Sequence, residues 1–133
     1  MTMEAPELNL YEYAVIRYVP SVEREEFVNV GLVMMCKRRR WIRAELTLDG
    51  RKMDLLRLFN APHSREEIER QLSAFTGICI GDPAYGPIAA LPVEERFRWL
   101  TAVKSASIST SRPHPGKTPD LEATFDRLLS TLA

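Results

Sequence analysis

Apolar residues cluster with a two-residue period in the first third of the chain, and recur at three- and four-residue spacing after it. Residues 11–19, YEYAVIRYV, are aromatic and β-branched without a breaker and predict a strand that Pro20 ends. After the charged turn SVEREE, residues 27–36, FVNVGLVMMC, predict a second strand. Strict alternation puts Val28, Val30, Leu32, Met34 and Cys36 on one face, and Phe27, Asn29, Gly31, Val33 and Met35 on the other. Both faces are largely apolar, as in a strand covered on both sides. The basic turn KRRR leads to a third strand, WIRAELTL, in which Ile42, Ala44, Leu46 and Leu48 oppose Trp41, Arg43, Glu45 and Thr47. Three strands with short links predict an antiparallel meander.

The period then lengthens. Residues 51–59, with Met53, Leu55, Leu56, Leu58 and Phe59, predict a short helix broken by Ala61 to Ser64. Ser64 and Glu67 form a capping box before Ile68, Leu72 and Phe75, with Gly77 expected to close that helix. Gly81, Pro83, Gly86 and Pro87 predict a loop over 78–91. Pro92 is placed at a first helical position, before an apolar stripe of Val93, Phe97, Leu100 and Val103. Residues 105–111, SASISTS, are assigned to a fourth strand and RPHPGK to a loop. Thr118 is expected to cap a last helix whose apolar face is Leu121, Phe125, Leu128, Leu129 and Leu132. The fold class is therefore α+β: an antiparallel sheet, a three-stranded N-terminal meander plus a fourth strand, packed by about four helices.

Length and composition keep this picture within one domain, residues 1–133, with 1–10 a flexible N-terminal segment. Lys+Arg and Asp+Glu both number 18, so the net charge is zero, which argues against a dedicated nucleic-acid binder. Cys36 and Cys79 sit in apolar runs and read as buried free thiols, for which a reducing cytoplasm is the expected compartment. MTMEAPELNL lacks the basic and apolar regions of a signal peptide. No apolar run approaches the ~18 residues of a membrane span. His63, His114, Cys36 and Cys79 follow no ligand spacing, so neither a metal nor a cofactor is expected.

Two polar residues inside apolar strands, Arg17 and Asn29, are the first site candidates. A hairpin centred near Glu23 makes them cross-strand neighbours, with Val15 opposite Gly31 and Tyr13 opposite Val33. Such a pair forms an anion pocket, with Arg17 as a bidentate donor, or is a structural pair whose arginine meets Glu23, Glu25 or Glu26. The parity of the KRRR loop decides the face: an even loop puts Asn29 with Ile42, Ala44 and Leu46, and an odd one reverses this. The second candidate is STSRPHPGKTPD, residues 109–120, in which His114 and Lys117 sit beside a helix start. It is either an anion site or a rigid turn. KRRRWIR could contact phosphates with Trp41 as a stacking platform, or be a solvated hairpin tip.

The segment YAVIRYVPSVEREEFVNVGLVM, through Tyr13, Arg17, Tyr18, Pro20, Arg24, Glu26, Phe27, Asn29, Val30 and Gly31, resembles the opening motif of the bacterial family called domain of unknown function 3037. ERFRWL and ISTSRPHPG resemble later blocks of the same family. The resemblance implies a stand-alone bacterial cytoplasmic domain with a protein partner, a serine kinase-like protein of the toxin–antitoxin kind. It brings no catalytic residue. The candidate binding residues are Arg17, Arg24, Asn29, Ser111, His114 and Lys117. The expected function is a non-enzymatic interaction module. Its rival is a binder of anions or nucleic acid, or an enzyme acting on a phosphorylated compound, through Arg17, Arg24, Asn29 and His114.

Overall fold

β-Branched and aromatic residues draw Asn9–Ser21 into a long first strand, β1, followed by β2 (Glu26–Cys36) and β3 (Trp41–Leu46). In the computed structural model, which describes residues 7–21, 23, 26–58, 62–102 and 107–133, these form the expected antiparallel meander. β1 starts inside the segment read as a flexible lead: Asn9 and Leu10 pair with Thr118 and Lys117. It also runs past Pro20, because pairing is already irregular between Tyr18 and Ser21, where a missing N–H costs little.

The far edge of β1 is shared end to end by β4 (Ile108–Thr110) and β5 (His114–Thr118), giving a five-stranded sheet. RPHPGK is thus largely a strand and not a loop. β1 spans 13 residues and β4 only 3, so most of that edge remains open for a second partner. β5 pairs only with β1, a position in which Pro115 can be tolerated. Ser111 joins the two strands: its N–H donates to the Val15 carbonyl at 2.9 Å, and its Oγ accepts from the Val15 N–H at 2.8 Å.

β2 breaks the alternation. Ile16 pairs with Gly31 but Arg17 with Asn29, so Val30 is an extra, bulged residue. Its carbonyl accepts from Thr47 at 2.7 Å. A Cβ on Gly31 would lie 2.5 Å from the Glu45 carbonyl oxygen, so glycine permits the close approach of β3. Beyond the bulge Val15 meets Leu32 and Tyr13 meets Met34, one residue off the regular hairpin. Val28 and Val30 therefore share a core with Val33 and Met35, while Leu32 and Met34 face the other way.

Helices cover both faces. α1 (Gly50–Leu58), α2 (Arg65–Ile80) and α3 (Val93–Thr101) bury Leu56, Ile68, Leu72, Phe75, Phe97 and Leu100 against Ala14, Ile16 and Tyr18. The Ser64 hydroxyl caps α2 by accepting from the Glu67 N–H at 3.2 Å. Gly77 does not end that helix. It is buried where any Cβ would strike the Tyr85 ring, and the helix closes at Gly81, whose φ of 79° suits glycine. Within the expected loop, Pro83–Tyr85 and Pro87–Ala90 form short 3₁₀ turns. Pro92 is the residue before α3 and not its first. Phe59, Val103 and residues 105–106 of the expected fourth strand lie outside the described residues. No helix among the described residues is long and apolar enough to cross a membrane.

Among the described residues, α4 (Leu121–Leu132) is the one helix on the opposite face. It starts at Asp120, not Thr118: the Asp120 carboxylate accepts from the Ala123 N–H at 3.0 Å, while Thr118 stays in the β5 ladder. Phe125 and Leu128 pack on Val15, Leu32 and Met34. Trp41 meets Phe125 edge-on, and Arg43 lies 4.2 Å over the same ring while bonding Glu122 and Glu45. Trp41 is thus occupied in packing, its Nε1 donating to Glu122 at 2.8 Å.

Phe125 is fully buried with one helix to hold it. Phe125→Ala should lower stability by about 3–5 kcal/mol in chemical denaturation. A loss below about 1 kcal/mol would show that α4 is not core.

Candidate functional site

The bulge decides where Asn29 goes. KRRR is an even loop, with Cys36 opposite Trp41, so an unbroken β2 would put Asn29 with Ile42 and Ala44. The bulge instead turns Phe27 and Asn29 to the α4 face, beside Arg17. The Asn29 Nδ2 donates to the Leu132 carbonyl at 3.0 Å, tying the hairpin to the last turn of α4. Its Oδ1 is buried without a hydrogen-bond partner. The Arg17 guanidinium carbon lies 4.0 Å over the Phe27 ring, and its Nε is likewise buried without a partner. A donor and an acceptor thus stand unmatched side by side, each costing about 1–3 kcal/mol if left so.

Asn29, but not Arg17, lines a groove of about 360 Å³ between β2, α1 and the end of α4, walled by Phe27, Leu55 and Leu132. Lys52 borders it, its Nζ donating to Thr47 Oγ1 and to the Ala133 main-chain oxygen at 2.9 Å. Burial pulls the Lys52 ammonium below the usual lysine range, with the Asp49 charge opposing.

The other candidates lie elsewhere. His114 pairs with Tyr13 in the β1–β5 ladder and stacks on its ring, centroids 5.2 Å apart. That is four residues along β1 from Arg17, roughly 13 Å, so the histidine does not border the groove. Lys117 is exposed on β5, opposite Leu10. Ser111 is spent on the Val15 backbone. Arg24 lies outside the described residues.

A profile of the family described as "Protein of unknown function (DUF3037)" matches residues 13–133. The chain belongs to this family. No curated protein and no solved structure matches it. The span shared with DUF3037 contains the whole groove and both loops singled out above.

One polar cluster in this DUF3037 chain was not legible beforehand. Tyr18, fully buried, bonds His63 Nδ1 at 2.7 Å through its hydroxyl. Ser107 Oγ lies 3.5 Å from Nε2 of the same ring, at the limit of a hydrogen bond. The sequence separations are 45 and 44 residues, and no spacing rule links such positions. The only available sign was a tyrosine in an otherwise apolar strand, whose hydroxyl needs a partner when buried. Burial raises the Tyr18 pKa, which keeps the hydroxyl protonated as a donor. Both cysteines are free and buried.

Arg17→Met should melt at or above the wild-type temperature. It removes a buried donor that lacks an acceptor, about 1–3 kcal/mol, and gives up a cation–π contact of about 0.5–2 kcal/mol. A fall of more than about 5 °C, roughly 1 kcal/mol or more, would mean that the guanidinium holds the fold. Cys79 supplies a pH prediction. Burial pushes its thiol from 9.0 up to about 12, with Arg96 opposing. The folded chain keeps a proton that the unfolded chain loses, so this contribution is fully present below pH 9 and is lost as pH rises toward 12. Peptide mapping after alkylation at pH 9 should find Cys79 unmodified until the protein unfolds.

Proposed function

We propose that the protein is a non-enzymatic interaction module of the bacterial cytoplasm, whose groove at the end of α4 receives an apolar segment of a protein partner. The observation that carries this reading is the pair Phe27 and Leu55. They are 46% and 45% exposed and line the same groove, one from β2 and one from α1. Leu58, one turn along α1 from Leu55, extends the surface and is 78% exposed. Apolar walls over a few fixed polar groups are the make-up of a docking groove. Asn29 and Lys52 supply the polar part of the lining. The partner proposed is the serine kinase-like protein that the family resemblance implies.

The test is affinity purification at native expression, with wild type and Leu55→Glu compared by quantitative mass spectrometry. The kinase-like protein should co-purify with wild type. Leu55→Glu should reduce its recovery at least about 10-fold, as expected for an anchor worth 2 kcal/mol or more. Leu55 is half exposed, so the variant should keep its melting temperature. Absence of a stable partner, or equal recovery by both proteins, would overturn the proposal.

A further inference from the structure

Two of the four cations in the turn between β2 and β3 are engaged by residues at the start of the described chain. Arg38 and Arg39 turn toward the start of β1, where both pair with Glu7 and Arg39 Nε donates to Asn9 Oδ1 at 2.9 Å. Lys37 and Arg40 line a cavity of about 500 Å³ beside the start of α3, together with Arg96, and Lys37 also borders an opening that it shares with Arg38. Among the described lining residues Glu94 is the one carboxylate, so the cavity keeps an excess of two positive charges: Lys37, Arg40 and Arg96 against Glu94. Arg96 gives one Nη to the Cys79 carbonyl at 2.9 Å, and its Nε is buried without a partner.

Arg40 adds an independent sign. Its φ is 51°, and it is the one non-glycine with positive φ among the described residues. Glycine adopts that conformation at lower cost and is the common choice in a hairpin turn. An arginine held there is mildly strained, and its side chain borders the cavity. Such outliers concentrate where a side chain is needed for something other than the fold.

We infer that this cavity binds a phosphate group, carried by a small molecule up to the size of a nucleotide. Two guanidinium groups, one of them already tied on one side to the Cys79 carbonyl, and an ammonium line one space and suit a phosphate's oxygens, and the volume lies in the range of small-ligand sites. The site is separate from the groove at the end of α4 and does not depend on it.

The experiment is isothermal titration of the full chain with inorganic phosphate and, separately, with ATP, at low ionic strength, where surface charge is least screened. Wild type should bind at least one of the two. Binding of both identifies a phosphate site, and of ATP alone a nucleotide site. Arg40→Gly should bind at least tenfold more weakly while melting at the wild-type temperature or above, since glycine relieves the positive φ. Lys37→Gln, on the exposed turn, repeats the test without touching that backbone. Arg38→Gln, whose charge faces Glu7, should leave affinity unchanged. Failure to bind either probe would overturn the inference. So would affinity unaltered in Arg40→Gly and Lys37→Gln, or an equal loss in Arg38→Gln, which would mark a diffuse attraction to the whole turn.

Discussion

One extra residue in β2 organises this molecule. A strand with a strict two-residue period has a fixed pair of faces, and any inserted residue exchanges them for everything beyond it. Val30 is that residue. On its C-terminal side Leu32 and Met34 build the floor under α4, while Val33 and Met35 join the core of α1, α2 and α3. On its N-terminal side Val28 and Val30 serve the three-helix core, which leaves Phe27 and Asn29 for the α4 face. The bulge is stable because its carbonyl is taken by Thr47 and because Gly31 lets the Glu45 carbonyl come close.

The two polar residues inside the apolar strands gain their setting from this geometry. Without the bulge Asn29 would point into the core of α1 to α3, where an amide finds few partners. With it, the amide reaches the carbonyl end of α4, where helix carbonyls lack intrahelical donors. The Arg17 guanidinium gains the Phe27 ring as a cation–π partner. The same rearrangement brings Phe27 and Asn29 to the groove beside α1 and α4, and the proposed docking role rests on the exposed Phe27 and Leu55 there.

Periodicity carried most of the architecture. The meander, the stripes of α2, α3 and α4 and the α+β class follow from period alone, because each buries one continuous face. The Arg17–Asn29 pairing agrees with the hairpin that the two apolar runs predict, although the pairing shifts between Tyr18 and Ser21. What lay beyond was not legible. A bulge changes parity without leaving a distinctive residue, and Gly31 is equally consistent with a weak strand. β5 was hidden because Pro115 and Gly116 are turn formers, and only the length of β1 makes an edge for them. Gly77 was read as a stop, whereas it makes room for Tyr85, a contact made within the folded chain. His63 was considered only as a metal ligand, and its tie to Tyr18 depends on tertiary packing. Of the candidate site residues, the fold brings Arg17 and Asn29 together, spends Ser111 on the sheet and sets His114 apart along β1.

The face on which Asn29 lies is the point on which the account turns, and nuclear Overhauser spectroscopy of the labelled protein reads it directly. The side-chain amide protons of Asn29 should show cross-peaks to Leu132, and the Arg17 side chain should show cross-peaks to the Phe27 ring. Cross-peaks from the Asn29 amide to the side chains of Ile42 and Ala44 would mean that β2 is unbroken, and would contradict the account.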